Sequence, residues 1–521
     1  MRISVLNTKV AGGRAVRALA CALALGVSAT AAMAGKADNS LIIGAPIDFS
    51  QPDAAYGALG TDLQFLYTMH DRLIGFDPKD MSLVPMLATE WSWSDDKRTL
   101  TLKLREGVKF HDGTEFNAEA VKTSLQYFKD VKVNRDINDV TDIAVVDPLT
   151  IAITTEKPNA SLLGNLAERA GMIISPKSIA DNKPGELGFN TAGTGPFRIA
   201  AHEPGNFVRF ERFPDYWDKE SKFVDKIEYR IIKNSTSIIT ALMSGQLDYA
   251  SPLDPINMEA LKRNPNLRIE VEPTLAFGLI NVNTGLKPTD DKRVRQAMMY
   301  AMDREALARA VYGENVETGA ALQPVPESYW PYTESLKGAY SYDIDKAKAL
   351  LAEAGYADGV KASFCINASY GMPAPAIKIS DILREQMKPA GIEFDLVSAA
   401  SNSVCAQRFN VDATLNMFLA SWSGRVDPVI TYALMVGSNS FYNASKTKYQ
   451  NADEIIAELQ QTFEKEQQKP LFDKLNAIWI EELPMFPLYY FANVVAYNAE
   501  LKGGEPNLLG RPYVRTLHYD N

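Results

Sequence analysis

Cysteine and histidine are the scarcest residues here, with three and four copies among 521. His70, His111, His202 and His518 are widely spaced and lack companions at metal-ligand intervals, so no metal cage and no cofactor are expected. No Gly-Lys-Ser/Thr loop is present to cradle a nucleotide phosphate, so any ATP hydrolysis has to come from a partner. The chain has neither a Gly-x-Ser-x-Gly elbow nor a His-Glu-x-x-His helix, which counts against a hydrolase. After the first 34 residues no stretch has the run of about 20 apolar residues that a membrane span needs. Tandem repeats, low-complexity tracts and long charge runs are also missing.

The N-terminus has the features of a secretory signal. Arg2, Lys9, Arg14 and Arg17 form a basic leader without acidic residues, residues 18–27 are apolar, and Ala32-Met33-Ala34 is a small-x-small cleavage site before Gly35. Cys21 lies inside the apolar run and belongs to the leader. Removing the leader's four positive charges moves the formal net charge from -10 to -14. That balance argues against nucleic acid and anionic membrane as partners. The expected location is the periplasm. In an oxidising compartment Cys365 and Cys405 most simply form a disulfide, which in the chain-entropy account stabilises the fold by about 4 kcal/mol. Two separate buried thiols are the alternative. Neither has a histidine nearby, so a catalytic thiol is not expected.

Alternating and apolar runs predict strands over 41–45, 100–104, 150–154, 197–200, 207–210, 227–232, 267–271 and 392–397. A helix is expected over 62–73, with Leu63, Leu66 and Leu73 near one face. Another runs over 117–128, with Asn117 as its N-cap and Glu119 suiting its dipole. Further helices are expected over 237–244 before Gly245, around Val294, Ala297, Met298 and Ala301, from Asp343 to Gly355, and over 377–387 before Pro389 and Gly391. Residues 483–497, rich in Pro, aromatic and β-branched types, read as an extended segment packed on a sheet that returns the chain to the first domain. This alternation implies α/β layers, and about 490 residues after the leader imply two to four domains.

The most informative stretch is Leu104-Arg105-Glu106-Gly107-Val108-Lys109-Phe110-His111-Asp112-Gly113-Thr114-Glu115-Phe116, a strand end followed by a tight turn at Asp112-Gly113. Four further landmarks follow in order: Gly193-Thr194-Gly195-Pro196-Phe197, Glu211-Arg212-Phe213-Pro214-Asp215-Tyr216-Trp217, Ser244-Gly245-Gln246-Leu247-Asp248, and Asp291-Lys292-Arg293-Val294-Arg295-Gln296-Ala297. Across these motifs the chain resembles extracellular solute-binding protein family 5, the dipeptide-, oligopeptide-, nickel- and glutathione-binding proteins of ABC importers. The resemblance covers essentially all of the chain after the leader. The motifs themselves are mostly architectural. Phe110 and Phe116 are expected in a core, and His111-Asp112 lacks the activated nucleophile that a catalytic reading would need.

The resemblance implies an α/β, two-lobed periplasmic-binding-protein fold of type II, with an extra domain, closing by a hinge around a central cleft. The implied segments are a signal peptide (1–34), a first piece of lobe I (35–78), an accessory domain (79–190), a second piece of lobe I (191–283), lobe II (284–486) and a C-terminal return to lobe I (487–521). The implied partners are a small peptide or peptide-like ligand and ABC permease subunits with their ATPase, with the binding protein a monomer and not an enzyme. Two other classes stay open: an exported hydrolase of peptide-like compounds, and the ligand-binding subunit of a sensory receptor.

Candidate cargo residues cluster in Ala420-Ser421-Trp422-Ser423-Gly424-Arg425-Val426-Asp427-Pro428. In peptide-binding relatives this loop follows an aromatic residue, matched by Trp422, and carries an acidic anchor for the peptide's amino terminus. Here Arg425 lies just before the Asp427-Pro428 pair, where that acid would stand. Its guanidinium suits a carboxylate or phosphate, or a structural ion pair. Trp422 suits a pocket wall, and Asp427 either a contact or a turn. Phe49 beside Asp48, Phe277 where the chain crosses back between lobes, Tyr370 with Asn367 and Met372, and Tyr442 with Asn443 complete the candidates.

Overall fold

The computed structural model describes residues 35–48, 52–56, 62–133, 136–313, 320–367 and 376–520. Its backbone is a ten-stranded mixed sheet. The strand order is Ile392–Ala399, Val360–Asn367, Met417–Trp422, Leu267–Val282, Met485–Asn498, Tyr249–Ala250, Ser40–Ala45, Lys226–Ile231, Phe207–Arg212, Phe197–Glu203. Ser40–Ala45 pairs in parallel on both sides and is buried along nearly its whole length, which accounts for its unbroken apolar sequence.

Two long antiparallel strands, Leu267–Val282 and Met485–Asn498, run through the middle and serve both halves of the molecule. Residues 267–273 pair with 492–498 beside the Tyr249–Ala250 strand. Residues 277–281 pair with 485–490 on one side, and 277–282 with Met417–Trp422 on the other. The register slips between Pro273 and Phe277. There Thr274 donates its hydroxyl to the Phe491 carbonyl (3.0 Å), and its oxygen accepts the Ala276 N–H (3.1 Å). This bulge divides each shared strand into a part beside Tyr249–Ala250 and a part beside Met417–Trp422. It falls within the 191–283 segment, and residues 277–282 beyond it pair with Met417–Trp422.

Consecutive residues on the shared strand feed different cores, as period-two geometry requires. Ile280 joins the apolar cluster under helices Ser235–Met243, Lys292–Tyr300, Arg304–Tyr312, Ile344–Glu353 and Ala376–Met387. Leu279 joins the one formed with helices Leu63–Met69, Pro428–Val436, Ala452–Gln461 and Lys465–Glu482. The 483–497 tail lies within the sheet as the strand Met485–Asn498, not merely against it.

The accessory part is a four-stranded antiparallel sheet, in the order Ala88–Trp93, Thr99–Leu104, Thr150–Thr155, Val140–Asp147. Against it lies helix Ala118–Val131, whose cap Asn117 accepts the Ala120 N–H at 3.0 Å. The Leu104–Phe116 motif tucks Phe110 and Phe116 edge to face into this core (6.1 Å). Its His111 is stitched to the crossover segment: the ring Nε2 donates to the Gly195 carbonyl (2.9 Å) and the backbone N–H to that of Gly193 (2.9 Å). Burial holds His111 near pKa 4 and His70 near 3, so both are neutral.

The helix expected over 62–73 stops at Met69. A Cβ on Gly195 would lie 2.6 Å from the Met69 carbonyl carbon, so the crossover runs hard against the helix end. His70 turns extended, Asp71 forms a buried ion pair with Arg515, and the Leu73 N–H bonds Gly171 (2.8 Å). Cys365 and Cys405 are joined by a disulfide with Cα atoms 5.8 Å apart, both fully buried beside Phe409 and Phe418.

Candidate functional site

The strand Met417–Trp422 sets Trp422 opposite Phe277, next to the bulge. Trp422 is 5% exposed and packs edge-on against Tyr442 at 6.0 Å. Its indole N–H has no hydrogen-bond partner among the described residues. The chain then turns through Gly424, and Arg425 folds back over the indole, its guanidinium carbon 4.8 Å from the ring centroid. The same guanidinium donates to Ser423 Oγ (3.1 Å) and the Gly424 carbonyl (2.8 Å).

Val426 and Asp427 meet the other half of the molecule. Val426 N–H donates to Glu168 Oε1 (2.9 Å), while on its own side its carbonyl accepts the Tyr329 hydroxyl (2.8 Å). Asp427 caps helix Pro428–Val436 by accepting the Val429 N–H (2.8 Å), with Pro428 in the first turn. Its side chain lies on helix Leu162–Leu166 at Gly164, where a Cβ would stand 2.6 Å from the Asp427 Cβ. Burial raises the Asp427 pKa, offset in part by the Ser161 hydroxyl and the Val429 N–H. Ser161, Gly164 and Glu168 thus present one face to the 425–427 loop, as their spacing allows. Nearby, the Ala160 N–H bonds the Gln460 carbonyl (2.6 Å), and Trp93 meets Phe463 edge-on (5.0 Å). The two halves are in contact along this line.

Beside the contact lies a group of arginines. Arg72 is fully buried, its guanidinium carbon 4.7 Å from the Tyr67 centroid and 4.3 Å from that of Phe76. Its Nη2 reaches the Tyr513 hydroxyl at 3.5 Å, while Nε and Nη1 have no partner among the described residues. The Arg511 guanidinium carbon also lies 5.7 Å from the Tyr67 centroid. The Tyr67 hydroxyl is raised by burial and then by Glu168, against the opposing pull of Arg511, Arg72 and Arg169. The Asp136 carboxyl is raised by burial, with Arg169 and Arg425 acting against it. Arg511 is lowered by burial; Tyr67 and Glu168 oppose that shift, and Arg425 and Arg169 add to it. Arg72, Arg169, Arg425 and Arg511 therefore share one electrostatic neighbourhood with Glu168 and Asp136. A cavity of about 430 Å³ opens next to it, lined by Asp136, Ser161, Asn165, Val429 and Ala433 among others.

The sequence candidates divide accordingly. Trp422, Arg425 and Tyr442 meet at this junction. Phe277 is sealed in the strand pair against Tyr490 with no exposed surface, and Asp427 is engaged as a helix cap and interface contact. Asp48 bridges to His202 (3.1 Å) and the Gly205 N–H (2.7 Å) within the first half. Asn443 orders its own loop through Thr447. Asn367 ends its strand opposite Ala399. Phe49, Tyr370 and Met372 lie outside the described residues. Arg72, Arg169, Arg511 and Glu168 were not among the candidates. Their one sequence signal is weak: Glu168-Arg169 stands between Ala167 and Ala170 in an otherwise apolar stretch. Among the described residues no group of three His, Cys, Asp or Glu side chains could hold a metal ion.

Comparison with known proteins places this architecture. Residues 82–444 match the model of the bacterial extracellular solute-binding proteins, family 5. The glutathione-binding protein GsiB of Escherichia coli K12 is 28% identical over 448 residues, covering 84% of this chain and 86% of GsiB. HbpA2 of Haemophilus parasuis superposes with a TM-score of 0.80 at 22% identity, over 92% of this chain and all of HbpA2. The periplasmic binding protein DppA of Helicobacter pylori, solved with the peptide STSA, gives 0.80 at 23% identity, over 92% and 98% of the two chains. The two halves are thus the lobes of a periplasmic-binding-protein fold, and this chain belongs to family 5 of the bacterial extracellular solute-binding proteins.

Proposed function

We propose that this protein is the periplasmic substrate-binding component of an ABC importer. After loss of its 34-residue leader it works as a monomer, closes its lobes around a peptide or peptide-like solute, and delivers that solute to a membrane permease and its ATPase. It does no chemistry on the cargo. The observation that carries this reading is the seating of the Arg425–Asp427 loop on Ser161, Gly164 and Glu168, between lobes joined by two continuous strands. Such a contact exists only when the lobes are closed. A solute that touches both sides therefore favours closure by its differential affinity for the two states. The glutathione-binding relative and the peptide-bound DppA support a peptide-like cargo. Trp422, with Tyr442 behind it, serves as the apolar wall, and its indole N–H and Arg425 are the polar groups offered to the cargo.

The test is calorimetry of the purified protein against a library of di- and tripeptides, with mass spectrometry of each mixture. One-to-one binding with intact ligand, and a smaller radius of gyration in solution scattering, is the expected result. Appearance of cleavage products, or no binding to any member, overturns the reading.

A further inference from the structure

We infer that a second cavity, beside the bulge of the shared strands, holds the largest apolar group of the cargo. The solute is then a peptide or peptide-like compound with one bulky, uncharged side chain or acyl group. This rests on the carrier reading above and names the class of solute it carries.

The cavity measures about 410 Å³, within the range of small-ligand sites. Voids in packed interiors seldom exceed a water molecule, so this is a chamber rather than a packing defect. Its floor is made by Thr274 and Ala276 at the bulge and by Ala492 and Asn493 of the neighbouring strand. Its walls come from Ile238 and Ile239 of helix Ser235–Met243, from Leu253, and from Tyr312 at the end of helix Arg304–Tyr312. Ile47, 44% exposed, extends the same apolar lining to the surface.

The polar groups of the lining narrow the ligand further. The charged ones are Lys233, which is exposed, and Asp254; their signs oppose, so the chamber has no net charge to hold an ionic group. A charge set against the isoleucines would lose its hydration and gain no partner. The Thr274 hydroxyl is engaged by the Phe491 carbonyl and the Ala276 N–H. Asn493 differs. It is 1% exposed, its carboxamide oxygen accepts the Ser251 hydroxyl (2.5 Å), and its Nδ2 has no partner among the described residues. Leaving a buried donor unpaired is unfavourable, and a carbonyl on the cargo supplies the acceptor. An apolar group next to a carbonyl is what a peptide residue or an acyl group offers.

The chamber also lies within reach of the cargo loop. Thr274 precedes Phe277, the partner of Trp422, by three positions, about 10 Å along a strand. Between them Leu275 carries the turn of the loop: a Cβ on Gly424 would stand 2.4 Å from the Leu275 Cβ. An extended solute of about three residues covers that distance.

The test starts from trialanine and replaces each alanine in turn by phenylalanine, glutamate or lysine, with calorimetry on the wild type. At one position phenylalanine should bind about tenfold or more tighter than alanine, and glutamate and lysine should gain nothing there. Ala276→Leu and Ala492→Leu fill the chamber from different strands. In each, the phenylalanine peptide and trialanine should bind within about threefold of one another, and measurable trialanine binding shows that the variant folds. Asn493→Asp keeps the oxygen that accepts from Ser251 and exchanges the N–H donor for a second oxygen. It should weaken the phenylalanine peptide about tenfold or more; wild-type binding by this variant removes the amide from the site. If charged peptides bind as tightly as the phenylalanine ones, or if both filling variants keep the phenylalanine preference, the inference falls and the carrier reading stands. If no peptide binds at all, both fall.

Discussion

Glu168 accepts the backbone N–H of Val426 across the lobe interface at 2.9 Å. It ties the 425–427 loop to the opposite lobe, so the proposed opening of the lobes would break it. Glu168→Ala should leave that N–H buried without a partner in the closed state alone, at about 1–3 kcal/mol. Cargo affinity is then expected to fall by about 5- to 150-fold, mainly through faster release. Glu168→Gln keeps an acceptor and should stay close to wild type. Stopped-flow dissociation of bound peptide separates the two; identical release rates for Ala and Gln variants would remove the bond from the closure mechanism.

The Cys365–Cys405 disulfide closes a loop between residues 40 apart and packs against Phe409 and Phe418, away from the Arg425–Asp427 contact with Glu168. By the chain-entropy account its loss costs about 4 kcal/mol. Reduction, or the double Cys→Ala variant, should lower the denaturant midpoint of unfolding while leaving peptide affinity unchanged. A parallel loss of affinity would tie the bridge to the binding site.

Local signals made much of this fold legible. Asn117 and Asp343 cap their helices as capping chemistry dictates, and most short strands alternate. The two shared strands were harder to read. Met485–Asn498 is buried on both faces, so it has no alternation to detect. Leu267–Val282 is interrupted by a bulge that hid its second half. At the site, Trp422 and Arg425 were found because a family loop marks them. Arg72, Arg169 and Arg511 come from three distant segments that only tertiary packing assembles. No spacing rule joins residues 72, 169 and 511, and burial, which gives their charge its meaning, is not written in the local sequence.

The neutral histidines of lobe I give a pH prediction. His70 and His111 titrate near 3 and near 4 in the folded chain, against about 6.5 when unfolded. Below pH 6.5 the unfolded chain takes up protons that the folded chain refuses, so stability falls as pH falls. Between pH 6.5 and about 4 each histidine contributes up to about 1.4 kcal/mol per pH unit. The midpoint of denaturant unfolding should therefore drop from pH 7 to pH 5. His111→Gln, which can still donate to the Gly195 carbonyl, should have a shallower drop. Equal slopes in variant and wild type would show that His111 does not govern acid sensitivity.

Gly164 offers the most direct control over closure. It lies in helix Leu162–Leu166, and an added Cβ would come within 2.6 Å of the Asp427 Cβ and 3.4 Å of a carboxyl oxygen. Neither neighbour can yield easily, because Asp427 is fixed by its bond to Val429 and by the helix that it caps. Separation of the proposed lobes would withdraw Asp427 from that Cβ. Gly164→Val should thus act as a wedge that penalises only the closed form, by an overpacking cost of about 1–3 kcal/mol. The expected signature is peptide binding about tenfold weaker or worse, no compaction in solution scattering on adding cargo, and an unchanged unfolding midpoint without cargo. Asp427→Gly in the same chain removes the clash and should recover part of the affinity. A Gly164→Val protein that still compacts and binds like wild type would mean that cargo is held without this contact forming.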